Sequence, residues 1–193
     1  NRDWLPMPFS RMVQWLEPAK LSFACSAEYL SHVSAVNFTP EQAALLKEVT
    51  DPMFQETVRD FIVNQQFRRD YWVKGARRLD VIEQSKAYRE QKVILTVDPE
   101  SVSLKINGAV GEATMQEAVY RPILEVLSDH KPKTLAQIEQ ALVGKGIALT
   151  QIVEAVFVLS STGQLMAVQD EVTIVKAKKL TDTGKYTKTE THT

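Results

Sequence analysis

The residues with the clearest capacity for chemistry are arginines between positions 51 and 79, where basic, acidic and aromatic side chains are interspersed. Guanidinium groups bind carboxylates and phosphates through paired hydrogen bonds, and a neighbouring aromatic ring can serve as a platform. One interpretation is therefore a binding site for an acidic partner. The other is a structural network of ion pairs. The candidate residues for either role are Arg59, Asp60, Asn64, Arg68, Arg69, Asp70, Tyr71, Trp72, Arg77 and Arg78.

The two interpretations differ in the partners of the arginines. In the binding interpretation, the guanidinium groups face a carboxylate or phosphate of another molecule. In the structural interpretation they pair with aspartates of the same fold, such as Asp70 and Asp80. Because Arg59, Asp60 and Asn64 fall in the middle of a predicted helix, we expect interhelical hydrogen bonds from them and not catalysis.

A long central helix is predicted to position these side chains. Asp51 is a suitable N-cap, Pro52 suits the first helical position, and Gly75 allows a left-handed end. Apolar residues fall on two opposite sides of this helix, which indicates that neighbouring elements hold it between them. Its basic C-terminal end would also be favoured by the helix dipole.

Motifs for catalysis and cofactor binding are missing from the sequence. The one G-x-G, Gly144–Gly146, follows a predicted helix and not a strand, and the sequence contains no P-loop, G-x-S-x-G or H-E-x-x-H. The histidines His32, His130 and His192 are far apart, and Cys25 has no second thiol with which to share a metal. We therefore predict no catalytic residue, no cofactor-binding residue and no metal ligand in this chain.

Composition narrows the classes of partner and compartment. The 193 residues carry a net charge of −1, so no overall basic field attracts nucleic acid or an anionic membrane. A single cysteine fits a reducing compartment, and we expect a cytoplasmic protein without a membrane segment. Because the sequence begins at Asn1, directly within an apolar-rich stretch, we interpret it as a fragment of a longer protein.

The first half of the chain is predicted to be mainly helical, with turn chemistry at Asp98-Pro99. β-rich segments on either side of this turn predict a β-hairpin. The predicted elements are a helix at 10–15, an extended stretch at 20–25, a helix at 40–49 capped by Thr39, a helix at 81–91, hairpin strands at 93–97 and 101–106, and a loop at 107–111.

The second half predicts a winged-helix order, three helices followed by a two-stranded wing. The helices are predicted at 115–130, 134–144 and 149–162, and the wing strands flank residues 169–171. The third helix, which would enter a DNA groove, contains no Lys or Arg, and its one charge is Glu154. Nucleic-acid binding is therefore disfavoured, and a protein-interaction module is the preferred interpretation.

These patterns together predict an α+β, mainly helical fold. The predicted units are a helical module with linker and hairpin at 1–110, a winged-helix-like domain at 111–177 and a flexible tail at 178–193.

The run RDFIVNQQFRRDYWVKGARRL from Arg59, with NFTPEQAALLKEVTDPMFQETV before it, resembles the predicted methyltransferase regulatory domain family. The matching residues are Arg59-Asp60-Phe61, Asn64, Phe67-Arg68-Arg69-Asp70 and Gly75, and the similarity covers about residues 1–90. Members of this family follow a class I S-adenosylmethionine-dependent methyltransferase domain in bacterial proteins, including some protein lysine methyltransferases.

The resemblance implies a regulatory or substrate-recruiting fragment that packs against an upstream catalytic domain of the same chain. S-adenosylmethionine is then expected in that domain and not in this fragment, and a protein substrate is a possible second partner. The alternative interpretations are a winged-helix nucleic-acid-binding module and a general protein-interaction module.

Overall fold

The computed structural model describes residues 5–182. The N-terminal part of the fold is a small two-stranded sheet packed against helices. Helix α1 (Phe9–Leu16) leads through a short 3-10 turn to strand β1 (Leu21–Ser26). Strand β2 (Asp70–Lys74) pairs with β1 in antiparallel register. Phe9, Phe23 and Trp72 pack ring against ring, with centroids 4.9–5.7 Å apart. This aromatic trio is the small core of the N-terminal part.

Three helices lie between the two strands. They are α2 (Ser34–Asn37), α3 (Pro40–Glu48) and α4 (Pro52–Ile62). The predicted cap of α3 is confirmed, because the Thr39 hydroxyl accepts from the Gln42 amide and the Gln42 side chain accepts from the Thr39 amide. Asp51 caps α4 by accepting from the Phe54 amide at 2.7 Å.

The prediction of one central helix from residue 51 to residue 75 is wrong. Helix α4 ends at Ile62, and Asn64 adopts a left-handed conformation with φ of 51°. Asparagine tolerates the left-handed conformation well, and this conformation turns the chain back at the end of α4. The following Tyr-Trp-Val has high β propensity and finds an open partner in β1, so tertiary pairing replaces continued helix.

A three-stranded sheet follows helix α5 (Val81–Glu90) and replaces the predicted 93–106 hairpin. Strand β3 (Lys92–Leu95) is its middle strand, between β6 (Lys133–Thr134) and β7 (Leu165–Ala167), and both pairings are antiparallel. The hairpin prediction is wrong because Pro99–Ser101 forms a 3-10 turn that leads the chain away from β3. The hairpin of this region is instead β4 (Lys105–Gly108) with β5 (Gly111–Thr114), where a loop is predicted.

The three predicted C-terminal helices are present and enclose the main core. They are α6 (Glu117–Leu127), α7 (Leu135–Ala141) and α8 (Leu149–Ser161). Their fully buried side chains include Ile123, Leu127, Ile138, Ile152 and Leu159. The same buried cluster contains residues from Val33 to Leu165.

The predicted wing is wrong. Residues 171–182 form helix α9 (Glu171–Asp182), capped where the Asp170 carboxylate accepts from the Thr173 amide at 2.7 Å. β7 finds its partner upstream in β3, so it needs no return strand. Helix α9 extends into the predicted tail, whose residues 183–193 lie outside the described part of the chain.

The coarse fold class is confirmed as mixed α/β, with helices predominating over small sheets. The domain boundary at 110/111 stays a prediction, although the main cluster draws residues from both sides of it. Among residues 5–182, no helix is both long and apolar enough to cross a bilayer.

Gly108 is expected to be indispensable for docking the β4–β5 hairpin against α2. A Cβ atom there would lie 2.0 Å from the Val36 carbonyl oxygen, so backbone would have to move. We expect Gly108→Ala to lower the free energy of unfolding by about 2–3 kcal/mol, measured by urea denaturation. The exposed neighbour Ala109 provides the control, since Ala109→Ser should change stability by less than about 0.5 kcal/mol. Equal stability of the two variants would contradict the close packing.

Candidate functional site

Arg68 is the centre of the candidate site and contacts three carboxylates. Its Nε and Nη2 donate to the two oxygens of Asp70 at 2.9 and 3.0 Å. Its Nη1 donates to Asp60 at 2.7 Å, and Nη2 donates a further bond to Glu56 at 2.8 Å. Four of the five N–H groups of the guanidinium are therefore occupied within the fold. We call these four residues, Glu56, Asp60, Arg68 and Asp70, the Arg68 network.

The local fold explains why these groups meet. Glu56 and Asp60 lie one turn apart on α4, so they share one side of the helix. The left-handed turn at Asn64 returns the chain past that side, and Arg68 and Asp70 enter β2 facing it. The side chain of Arg68 is only 17% exposed and that of Asp70 only 8%. The network is therefore largely withdrawn from solvent.

Aromatic rings flank the Arg68 guanidinium. Its Cζ lies 4.3 Å from the centroid of Phe9 and 5.5 Å from that of Phe23. Trp72 completes the trio behind them. A guanidinium above an aromatic face gains cation–π attraction, which strengthens when water is excluded. Phe9 and Phe23 provide the aromatic contact of Arg68, whereas a platform of Tyr71 or Trp72 for an acidic partner stays a prediction.

Two opposing effects set the pKa values of the network: burial disfavours the charged form of each group, and pairing with an opposite charge favours it. Burial raises the pKa of Asp60 above its usual range, although the charge and hydrogen bond of Arg68 oppose the rise. Burial also disfavours the charge of Arg68, but its hydrogen bonds to Asp70 and Glu56 outweigh this effect and raise its pKa. Desolvation lowers the pKa of Arg59, which lies 5.3 Å from the ring centroid of Phe38 and 3.9 Å from a Glu56 oxygen.

The remaining candidates lie outside this network. Arg69 points to solvent and pairs with Glu28, and Arg77 pairs with Glu83 at the start of α5. Arg78 is exposed and makes no ion pair with a residue in 5–182. Asp80 does not pair with an arginine; it caps α5 by accepting from two backbone amides at 2.8 Å.

The two other polar or aromatic candidates also stand apart. Asn64 serves the turn, and its side-chain oxygen accepts from Gln66 at 2.8 Å. Tyr71 faces away from the aromatic trio and is 61% exposed. The structure thus brings together Arg68, Asp60 and Asp70, with Arg59 at their edge. Trp72 lies behind the rings that contact Arg68, and the other candidates are separate.

Two residue types at this site were missed from the sequence. Glu56 was overlooked, although its spacing of four from Asp60 on a capped helix indicates a paired carboxylate face. Phe9 and Phe23 gave no local signal, because their approach to Arg68 depends on the β1–β2 pairing across the chain.

The chemistry available to the Arg68 network is limited by its own pairing. An external acid would have to displace Asp60, Glu56 or Asp70 from the guanidinium. Within residues 5–182, no group of three or more His, Cys, Asp or Glu side chains is arranged to hold a metal ion. The arrangement is suited to tying α4 to β2 and to fixing the shape of the surface around them.

Two solved structures with a similar fold are of one methyltransferase. The chain resembles PKMT2, a protein lysine methyltransferase of Rickettsia typhi, with a TM-score of 0.51 and 15% identity over 83% of this chain and 36% of that one. PKMT2 in complex with AdoHcy gives a TM-score of 0.50, again at 15% identity, over 83% of this chain and 35% of that one. At this identity the likeness concerns the fold.

Residues 1–74 match the model of the family described as the predicted methyltransferase regulatory domain. The resemblance read from the sequence is thereby confirmed. Over 94% of its length the chain is also 36% identical to the uncharacterized protein sll1526 of Synechocystis sp., of which it covers 36%. The chain thus spans about a third of the length of each of these relatives.

Proposed function

We propose that this chain is a non-catalytic part of a bacterial, cytoplasmic methyltransferase that uses S-adenosylmethionine. In this proposal it packs against the catalytic domain of the same polypeptide and regulates that domain or recruits a protein substrate to it. The observation that carries the proposal is an exposed aromatic surface on the family-matching segment. The match of residues 1–74 to the regulatory domain family supports the assignment.

The exposed aromatic surface centres on α4. Phe54 is 56% exposed and Phe61 78% exposed. Seven residues apart, they lie on the same side of the helix, about two turns from each other. Phe67 and Tyr71, farther along the same segment, are 77% and 61% exposed. Soluble monomers seldom leave several large aromatic side chains in water within so short a segment, so a partner surface is expected to cover them.

The proposed occupant is the catalytic domain of the same polypeptide. The chain accounts for only 36% of the length of the Synechocystis relative, so that protein has ample further sequence to form another domain. The Arg68 network fits this role, because it anchors α4 to β2 and holds Phe54 and Phe61 on a fixed helix. An intramolecular interface needs only moderate area, since the linker keeps both surfaces at high effective concentration.

The test replaces Phe54 and Phe61 together with serine in the complete polypeptide that contains this chain. We expect methyl transfer to fall at least about tenfold, because the loss of two buried aromatic side chains removes several kcal/mol of interface energy. The control is Val143→Ser, at a 73% exposed apolar side chain after α7. It should leave the rate within about twofold.

Limited proteolysis of the same double variant tests whether the catalytic domain is still docked on this chain. A catalytic domain released from this chain is expected to show faster cleavage in the connecting segment. Unchanged cleavage together with an unchanged methyl-transfer rate would overturn the proposal that this surface docks the catalytic domain.

Cofactor binding provides a second test on the 193-residue chain alone. Calorimetric titration with S-adenosylmethionine and with S-adenosylhomocysteine is expected to give no binding heat, because the sequence has no strand–glycine turn–helix unit. Stoichiometric binding of either compound would contradict the non-catalytic assignment.

The alternative of nucleic-acid binding is not favoured by helix α8. The helix carries no Lys or Arg. One side of it is also covered, because the ring centroid of Phe157 lies 6.1 Å from that of Tyr29 and 5.4 Å from that of His32. A groove-reading helix needs basic residues and a free side. Tight, salt-sensitive binding to duplex DNA in a gel-shift experiment at low salt would revive this alternative.

A further inference from the structure

An open cavity lies where the family-matching segment meets the C-terminal helices. Its volume is about 270 Å3, far above the 10–15 Å3 that one water molecule needs and slightly below the 300–1,000 Å3 of pockets for drug-sized ligands. It is bounded by α2 and the turn before it, by the β4–β5 hairpin, and by α6 and α8. The cavity therefore has room for a small ligand.

The walls of this cavity are aliphatic for the most part. Val33, Val36 and Ile106 form one side, and Val119 and Val158 form the other. All five are buried, with 2–8% of their surface exposed. Such walls favour an alkyl chain, because each buried CH2 contributes about 0.8 kcal/mol.

Two polar groups at this cavity lack partners. Tyr120 is only 6% exposed, yet its hydroxyl makes no hydrogen bond to any residue of the described range. Among residues 5–182, the one fully enclosed side-chain polar atom without a partner is Gln164 Oε1. The Tyr120 hydroxyl oxygen is therefore not sealed off by protein, and it is open to the cavity and available to a ligand. Glu154 lines the same cavity and is exposed to solvent; it makes no ion pair within residues 5–182 and is the one charged residue of the lining.

The carboxylate of Glu154 influences the tyrosine electrostatically. Burial raises the pKa of Tyr120 to about 12, and the charge of Glu154 contributes to the rise. Tyr120 therefore remains a neutral hydroxyl that can accept a hydrogen bond from a cationic donor. The lining offers a negative charge and an acceptor beside aliphatic walls, and no positive side chain competes for them.

We propose that this cavity binds an alkylammonium group, with its aliphatic part between Val33, Ile106 and Val158 and its ammonium between Glu154 and Tyr120. Tyr120 is the one aromatic residue of the lining, so the site lacks the aromatic cage that selects quaternary ammonium. The preferred ligand is a primary amine, from a lysine side chain or a free aliphatic amine. The proposal is independent of the proposed function, since it requires no catalytic domain.

The test measures binding of n-hexylammonium chloride to the 193-residue chain by calorimetry and by NMR chemical shifts of α6 and α8. Hexanol and hexanoate serve as neutral and anionic probes of the same length. We expect saturable binding of hexylammonium, at least about tenfold weaker binding of hexanol, and none of hexanoate, because hydrogen bonds to charged groups contribute about 1.5–3 kcal/mol.

Variants assign the effect to the two unpartnered groups. Glu154→Gln should weaken hexylammonium binding at least about tenfold and leave hexanol within twofold, whereas Tyr120→Phe should weaken hexylammonium about threefold. Both keep the side-chain shape, and thermal unfolding checks that they fold. The control is Glu117→Gln on α6, whose carboxylate lies 3.6 Å from Arg121 and outside the cavity lining.

The outcomes are distinct. Binding of hexanoate equal to that of hexylammonium, absence of saturable hexylammonium binding, or an unchanged affinity in Glu154→Gln would overturn the proposal. A short peptide with one central lysine, compared with its norleucine analogue, then distinguishes the two sources of the amine. Tighter binding of the lysine peptide than of hexylammonium assigns the site to protein side chains, and the reverse order assigns it to free amines.

Discussion

Replacing Arg68 with methionine is expected to lower the free energy of unfolding of this chain by about 3–5 kcal/mol. The substitution keeps much of the side-chain volume but removes the cation from between Glu56, Asp60 and Asp70. Three carboxylates would then face one another in a site that is mostly closed to water. Urea denaturation followed by circular dichroism measures the loss.

The neighbouring arginine is the matched control. Arg69 also carries an ion pair, to Glu28, but its side chain is 78% exposed. Exposed pairs contribute about 0–1 kcal/mol, so Arg69→Met should cost no more than that. Similar losses in Arg68→Met and Arg69→Met would contradict a special role for the Arg68 network.

The destabilisation of Arg68→Met is also expected to depend on pH. Burial already raises the folded-state pKa of Asp60, and the removal of Arg68 takes away the charge that opposes the rise. A carboxyl group with a raised folded-state pKa stabilises the fold when it is protonated, and this contribution is lost as pH rises through that pKa. The difference in unfolding free energy from wild type should therefore shrink between about pH 7 and about pH 5. A constant or growing difference would contradict this mechanism.

Leu95→Ala is expected to lower the free energy of unfolding by about 3–4 kcal/mol. Leu95 is 1% exposed and lies on the middle strand of the three-stranded sheet, opposite Leu165. Its loss would leave a cavity that the surrounding helices cannot easily fill. Met166→Ala is the control, because Met166 belongs to the same sheet but is 59% exposed.

The same variant examines the predicted boundary at 110/111. Leu95 lies before that boundary and Leu165 after it. A loss of about 3–4 kcal/mol of unfolding free energy in one cooperative transition would show that β3 belongs to the folding unit of the C-terminal helices. The boundary at 110/111 would then be wrong. A loss close to that of Met166→Ala would contradict an integral position of β3 in the core.

Elements fixed by local chemistry could be predicted from the sequence. The capping box at Thr39, the cap at Asp51 and the helix before Gly163 are all present, because they depend on neighbours within four residues. The prediction of a helix through residue 75 was wrong because residues 70–74 pair with β1, which lies some 45 residues earlier in the chain. Apolar periodicity cannot distinguish a half-buried strand from a helix over so few residues.

The candidate site shows the same division between local and distant information. The aspartates that pair with Arg68 could be anticipated because Asp60 and Asp70 are near it in sequence. The contacts with Phe9 and Phe23 could not, since they arise only when α1 and β1 are in place. The cavity beside Tyr120 was also invisible in the sequence, because three separate parts of the chain enclose it.

The position of β3 between β6 and β7 has a consequence for synthesis on the ribosome. β3 emerges long before either partner, and its second edge stays open until residues 165–167 have been made. Open strand edges invite pairing with other chains, and contacts between distant residues form slowly. Nascent chains paused before residue 165 should therefore associate with one another more readily than chains released after α8 and β7 are complete.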